Sequence, residues 1–194
     1  LLPVNSELIA KWNRIYSAAP EAFSVAQVLS ENTFLLPATG LALDLASGLG
    51  ANALLLAKQG LTTQAWDISD VAMQKLQQHA STHALPIKTF TQEITRHSFS
   101  PRCFDVIVVS RFLDRAICDA IMDCLKPNGL LFYQTYTQYK VYEQGPKNPR
   151  FLLADNELLH LFSRLKVIYY RENRGLGDAQ QGLRNEVQFI GQKP

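Results

Sequence analysis

The stretch from Leu41 to Gly60, LALDLASGLGANALLLAKQG, constrains the fold of this chain more than any other. Leu41 to Leu45 have the apolar character of a short buried strand, and Ala46 to Gly50 are the small residues of a tight turn. From Ala51 onward Leu54, Leu55 and Ala57 supply the apolar face of a helix. Gly48 and Gly50 open backbone conformations closed to other residues and let a ligand approach the main chain. The unpaired N–H groups of the helix start face the same space. A strand, a glycine turn and a helix in this order read as a nucleotide-cofactor turn.

Two cofactor classes fit that turn. Gly48, Gly50 and Ala53 satisfy the G-x-G-x-x-A form of the dinucleotide fingerprint, which suits a nicotinamide or flavin. Asp44 favours the other class. A carboxylate near the carboxyl end of the first strand repels a pyrophosphate and attracts the ammonium and sulfonium of S-adenosylmethionine. The run DLASGLG resembles the first motif of the class I S-adenosylmethionine-dependent methyltransferases. Asp44 stands at its acidic position and Ala46, Gly48 and Gly50 at its three small ones, Ala46 replacing the usual first glycine. The resemblance implies S-adenosylmethionine as cofactor, held by Asp44, Ala46, Ser47, Gly48, Gly50 and Asn52.

The next elements follow the same pattern. Thr62 to Trp66 read as a second strand ending at Asp67, followed by Ile68, Ser69 and Asp70 and a helix to about Ala84. An acid closing the second strand is placed to accept hydrogen bonds from ribose hydroxyls, with Ser69 and Asp70 better placed as helix caps. Ile87 to Gln92 alternate as a third strand that stops at Glu93 and Ile94. By the resemblance, Glu93 meets the adenine amino group and the Ile94 N–H meets the ring nitrogen; Ile68 lies beside them. Phe104 to Val109, FDVIVV, is the continuous apolar run of a central parallel strand. Ser110, Arg111, Asp114 and Arg115 follow it at the carboxyl edge, where open α/β sheets bind ligands. Ser110 is assigned to the cofactor, and Arg111 and Asp114 to the acceptor side, although Asp114 and Arg115 fit a helix-surface ion pair equally well. The N-P-P-Y motif of methyltransferases acting on planar amines is absent, SRFL standing in its place.

After a helix through Ala116 to Leu125, the turn Lys126-Pro127-Asn128-Gly129 leads into a fifth strand, Leu130 to Tyr136. A long polar loop from Thr137 to Ala154 carries Tyr139, Tyr142, Lys147, Arg150 and Phe151 and reads as the substrate segment. Arg150 and Lys147, with Arg111, suit an acceptor carrying negative charge; a solvated basic loop has the same composition. Asp155 is expected to cap a helix through NELLHLFSRL. Val167 to Arg171 and Leu183 to Ile190 then form an antiparallel pair around Arg174 to Asp178. Ahead of the first strand, Ser6 is placed to cap a helix bearing Leu8, Ile9, Trp12, Ile15 and Tyr16, ended by Pro20. A second helix runs from about Phe23 to Asn32. Trp12 and Tyr16 either pack this segment onto the sheet or close over the cofactor.

The whole predicts one domain over residues 1–194: a helical N-terminal extension (1–40), a cofactor-binding core (41–136), and a substrate loop, helix and terminal hairpin (137–194). Its fold is α/β, a doubly wound, mostly parallel seven-stranded sheet of Rossmann-like methyltransferase type with the last strand antiparallel. A net charge of +2 with scattered Lys and Arg gives no basic field that argues for nucleic acid. No apolar run reaches the roughly 18 residues of a membrane span. Cys103, Cys118 and Cys124 lack zinc-site spacing, His79 and His83 have no third ligand, and reduced thiols suit the cytoplasm. No metal is expected.

The expected activity is methyl transfer to a small-molecule acceptor, soft or anionic, by in-line displacement. Within the family, the run from Leu41 to Gly60 followed by AWDIS is similar to the small-molecule branch that includes the tellurite-resistance methyltransferases. A nicotinamide or flavin oxidoreductase, an RNA or protein methyltransferase, and a non-catalytic cofactor-binding protein are the alternatives.

Overall fold

The computed structural model describes residues 6–19 and 24–194. Seven strands form one sheet: β1 (Leu41–Leu45), β2 (Thr62–Asp67), β3 (Ile87–Thr91), β4 (Phe104–Ser110), β5 (Leu125–Tyr136), β6 (Lys166–Arg171) and β7 (Glu186–Gln192). Their spatial order is β3-β2-β1-β4-β5-β7-β6. The first five are parallel, while β7 runs antiparallel to both β5 and β6. The order reverses between β1 and β4, so the crevice at their carboxyl ends is the topological switch point.

β4 explains why a central parallel strand reads as an unbroken apolar run. Val106 and Val108 face one side of the sheet and Ile107 and Val109 the other, and all four are fully buried. On the first side lie α1 (Ser6–Ala18), α2 (Gln27–Ser30), α3 (Ala51–Lys58) and α4 (Asp70–Thr82). Val28, Leu29 and Leu56 pack there on Ala42, Val106, Val108 and Phe132. On the second side α5 (Cys118–Cys124) and α6 (Glu157–Leu161) bring Ile121, Met122 and Leu158 onto Leu43, Ile107 and Tyr133.

The turn after β1 takes its shape from backbone conformation. Ala46, Gly48 and Gly50 all have left-handed φ, of 53°, 53° and 77°. Ala46 therefore carries a steric cost of roughly 1–2 kcal/mol that a glycine would not. Gly50 has a second constraint, because a Cβ there would stand 2.3 Å from Leu76 of α4.

Several elements differ from the sequence reading. The turn Lys126 to Gly129 is absorbed into β5: Phe104 pairs with Leu125 and Val106 with Leu130, with Asn128 in the left-handed region taking up the extra length. Asp155 does not cap α6. Asn156, at φ 60°, occupies the cap position without a side-chain bond, and Asp155 pairs instead with Arg174. The expected second helix shrinks to α2 and a 3-10 turn, Thr33–Leu35. The expected helix end at Pro20 and start at Phe23 lie outside the described residues. Ser6 is the first residue of α1, which buries no residue fully.

Gly50→Ala is expected to lower stability by about 2 kcal/mol or more, combining left-handed strain with overpacking against Leu76. A urea midpoint equal to that of the parent would show that the turn does not close on α4.

Candidate active site

Two carboxylates hold the glycine turn from inside. Asp44, at 0% exposure, accepts from the Ala53 N–H at 2.9 Å and from Asn52 Nδ2 at 3.4 Å. Asp67 accepts from Gly48 N at 2.8 Å and Ser69 N at 2.9 Å. The turn is also tied to β2 by Ser47 N donating to Trp66 O at 3.0 Å. Burial pushes the Asp44 carboxyl up to about 7, against the lowering effect of its two donors. Burial raises Asp67 as well, opposed by the N–H groups of Ser69, Gly48 and Ile68. The Ala53 N–H at the start of α3, expected to face a ligand, is thus already taken by Asp44, and the Gly48 N–H is taken by Asp67.

Two other features of the turn lie outside these bonds. Ser47 Oγ is buried without a hydrogen-bond partner among the described residues. The backbone of Gly48 is approached from above by Tyr16, whose hydroxyl would lie 2.8 Å from a Cβ at that position. Burial raises the Tyr16 phenol, and the nearby charges of Asp67 and Asp44 raise it further. Helix α1 is brought here by α4: Asn13 donates to Asp70 and accepts from Ser69 Oγ, both at 2.6 Å, and Lys75 Nζ donates to Tyr16 O at 2.8 Å. Ser69 caps α4, accepting from Ala72 N at 3.1 Å.

The rest of the predicted set divides in two. Ile68 follows Asp67 at the end of β2, and Gln92 N donates to Asp67 O at 2.8 Å, bringing the β3 end to the same edge. Glu93 beyond it is exposed, and Ile94 is half-buried against the core. Ser110 ends β4 one strand from the turn, in line with Asp44 on the same face. Asn52 is buried between two partners, giving Nδ2 to Asp44 and accepting Ala26 N at 2.9 Å on Oδ1. Asp114 accepts from Ala116 N, capping a 3-10 turn, and Arg115 pairs bidentately with Glu157, not with Asp114. That corrects the ion pair considered from the sequence, which took nearest neighbours as partners. Arg115 also donates to the carbonyls of Arg150 and Leu152, which fixes the end of the 137–154 loop. The loop is anchored further by Asn185, whose amide bonds Val141 and Tyr142, and by the Tyr142 hydroxyl donating to Ala179 O.

Glu186, Gln134 and Gln144 are the residues the sequence reading missed. A cavity of about 390 Å³ opens at the carboxyl ends of β4 and β5, lined by Ser110, Arg111, Gln134, Gln144, Arg184 and Glu186 among others. Arg150 and Lys147 do not line it. Gln134 bridges Val28 N, which donates to its Oε1 at 2.8 Å, and Glu186, whose Oε2 accepts from its Nε2. The available signal was a lone glutamine within the apolar run LLFYQTY. A second cavity of about 330 Å³ lies between α4 and β3; its lining of Met, Gln, Ser and Thr contains no charged group and none of the turn residues.

Residues 42–129 match a family model described as a methyltransferase domain. Over that segment, a little under half of the chain, the sequence is similar to a methyltransferase domain. Comparison with curated proteins found no match. Among solved structures, TehB from Haemophilus influenzae is similar at a TM-score of 0.71 and 19% identity, covering 94% of this chain and 67% of that one. The geranyl diphosphate C-methyltransferase from Streptomyces coelicolor A3(2), in complex with S-adenosyl-L-homocysteine, gives 0.72 at 12% identity, with 99% of each chain covered. The [4+2]-cyclase SpnF gives 0.68 at 15% identity, covering 97% of this chain and 93% of that one. Likeness at these identities establishes the fold. Among the described residues, no helix is long and apolar enough to cross a membrane, and no cluster of His, Cys, Asp and Glu is able to hold a metal ion.

The raised Asp44 sets a pH dependence. Between the ordinary carboxyl value near 4 and about 7, the folded chain holds a proton that the unfolded chain has lost. This contribution to stability is present at low pH and disappears as pH rises to about 7, with a slope of at most about 1.4 kcal/mol per pH unit. Asp44→Asn should remove that slope, so that urea unfolding of the variant falls less than the parent's between about pH 4 and about pH 7. Parallel curves would mean that Asp44 ionises normally in the folded protein.

Proposed function

We propose that this chain transfers a methyl group from S-adenosylmethionine to a small-molecule acceptor, soft or anionic, held in the 390 Å³ cavity. The observation that carries this reading is the size and place of that cavity. It falls within the roughly 300–1,000 Å³ of small-molecule sites and opens at the edge that carries the glycine turn. The fold alone does not fix the reaction, since sites and not folds carry chemistry.

The turn suits the donor on its own chemistry. Ser47 Oγ lacks a partner among the described residues, Tyr16 lies against the Gly48 backbone, and the Asp44 and Asp67 carboxyl groups end at the same turn, where negative charge favours a cation. Asp67 accepts from Gly48 N on one oxygen and Ser69 N on the other, and a carboxylate offers about four acceptor positions in all, which leaves room for a ribose hydroxyl. Glu93 and Ile94, at the same edge, take the adenine side, with Ile68 beside them; Ala46, Gly50, Asn52 and Ser110 complete the turn and its neighbouring strand end. Bound there, S-adenosylmethionine supplies an electrophilic methyl on a sulfonium. The chain's part is to align the acceptor with it and exclude water, and holding reactants in line contributes several kcal/mol to lowering a barrier.

No general base is required in this account. The cavity is lined by no His, Cys or Lys, and both oxygens of its one carboxylate, Glu186, are occupied by Arg111 and Gln134. Burial pushes the Cys118 thiol up to about 12, so it stays protonated. Asp114 is engaged as a cap. The acceptor's own nucleophilicity then governs the rate.

The profile of kcat against pH for two acceptors of different pKa tests this. The expected inflection moves with the acceptor. An inflection common to both acceptors and lost in Asp114→Asn would show that an enzyme base removes the proton.

A further inference from the structure

Arg111 is held in a way that a simple surface ion pair does not need. Its backbone is left-handed, at φ 53°, fixed by Arg111 N donating to Gln134 O at 2.8 Å. Its Nε donates to Glu186 Oε1 at 3.1 Å, and its guanidinium lies 5.8 Å from the centre of the Tyr136 ring. The pair is lopsided: the Glu186 side chain is 8% exposed and that of Arg111 is 47% exposed. With Nε turned inward, Nη1 and Nη2 have no protein partner among the described residues, and Arg111 lines the 390 Å³ cavity.

A left-handed non-glycine residue and a buried carboxylate both cost stability, and a half-exposed ion pair returns little of it. The arrangement makes sense as orientation of the fork. Arg184, also in the lining, donates to the carbonyls of Gln181, Arg174 and Asp178 and has no carboxylate within ion-pair distance among the described residues. Two cations and one carboxylate leave the cavity with one uncompensated positive charge. A fork of two parallel N–H groups matches a planar carboxylate, and one charge suits a monoanion better than a phosphate dianion brought near Glu186.

We propose that Arg111, oriented by Glu186, anchors the acceptor, and that the cavity takes a small molecule bearing a carboxylate. That carboxylate is the handle and not the methylated atom. The word acceptor rests on the methyltransferase reading; the anion site itself does not. Arg111 touches the ligand, and Glu186 and Gln134 are positioning residues.

Calorimetry with benzoate, its neutral isostere benzamide and inorganic phosphate tests the site, with and without saturating S-adenosylhomocysteine. Benzoate is expected to bind about tenfold or more tightly than benzamide or phosphate. Arg111→Gln, which keeps a donor for Glu186, should abolish that preference. Glu186→Gln should reduce it in part, and Arg111→Lys should restore some of what Arg111→Gln loses. Arg164→Gln, whose guanidinium pairs with Asp119 and Asp123 on the other side of the sheet, should leave it unchanged. Benzoate bound equally by Arg111→Gln, benzamide or phosphate bound as tightly as benzoate, or no benzoate binding at millimolar concentration would each overturn the proposal. Failure of S-adenosylhomocysteine to bind the parent protein would overturn the methyltransferase reading, while the benzoate titration without it would still decide the anion site.

Discussion

The structure depends on how a carboxylate is buried at the end of β1. A buried carboxyl group needs hydrogen-bond partners, and Asp44 finds them in the first turn of the helix that follows, at Ala53 N and Asn52 Nδ2. Satisfying that acid fixes where α3 begins and therefore the course of the chain between, which is the glycine turn. Asp67 does the same from the next strand by taking Gly48 N. The turn is held in place by the protein's own hydrogen bonds, and preorganised sites avoid part of the ordering cost of binding.

The same bonds reach the acceptor side. Asn52 accepts Ala26 N, Val28 N two residues on donates to Gln134, Gln134 donates to Glu186, and Glu186 accepts from Arg111. The side chains of Asp44, Ser110, Gln134 and Glu186 belong to one face of the sheet at one edge, on β1, β4, β5 and β7 in turn. Adjacent strands are roughly 5 Å apart, so the donor turn and the proposed anion fork are separated by only a few strand spacings. The short segment 26–28 links α3 to Gln134 through these two hydrogen bonds.

The first half of the chain was legible because its chemistry is local. A buried strand, small residues needing left-handed φ, an acid at each strand end and a helix cap at Ser69 all leave marks within a few residues of where they act. The acceptor pocket leaves no such mark. Glu186 meets Arg111 only because β7 inserts antiparallel between β5 and β6, in a register that pairs Tyr136 with Glu186. Arg115 chooses Glu157 over the adjacent Asp114 for a similar reason, since packing of α6 against the sheet sets that distance. The Lys126 to Gly129 segment carries every sign of a turn, and β4 nonetheless keeps it within the strand by pairing on both sides of the irregularity. The basic residues of the 137–154 loop drew notice by composition, whereas Gln144 is the residue of that loop that lines the cavity.

The claim on which the account stands is that the turn between Asp44 and Asp67 is a ready-made seat for the methyl donor. A crystal structure of the complex with S-adenosylhomocysteine tests it most directly. The account predicts the product against the Gly48 backbone with Ser47 Oγ engaged, Tyr16 beside it, and the bonds of Asp44 to Ala53 and Asn52 retained. Product bound in the cavity between α4 and β3, or a turn in which Asp44 has released Ala53, would contradict it.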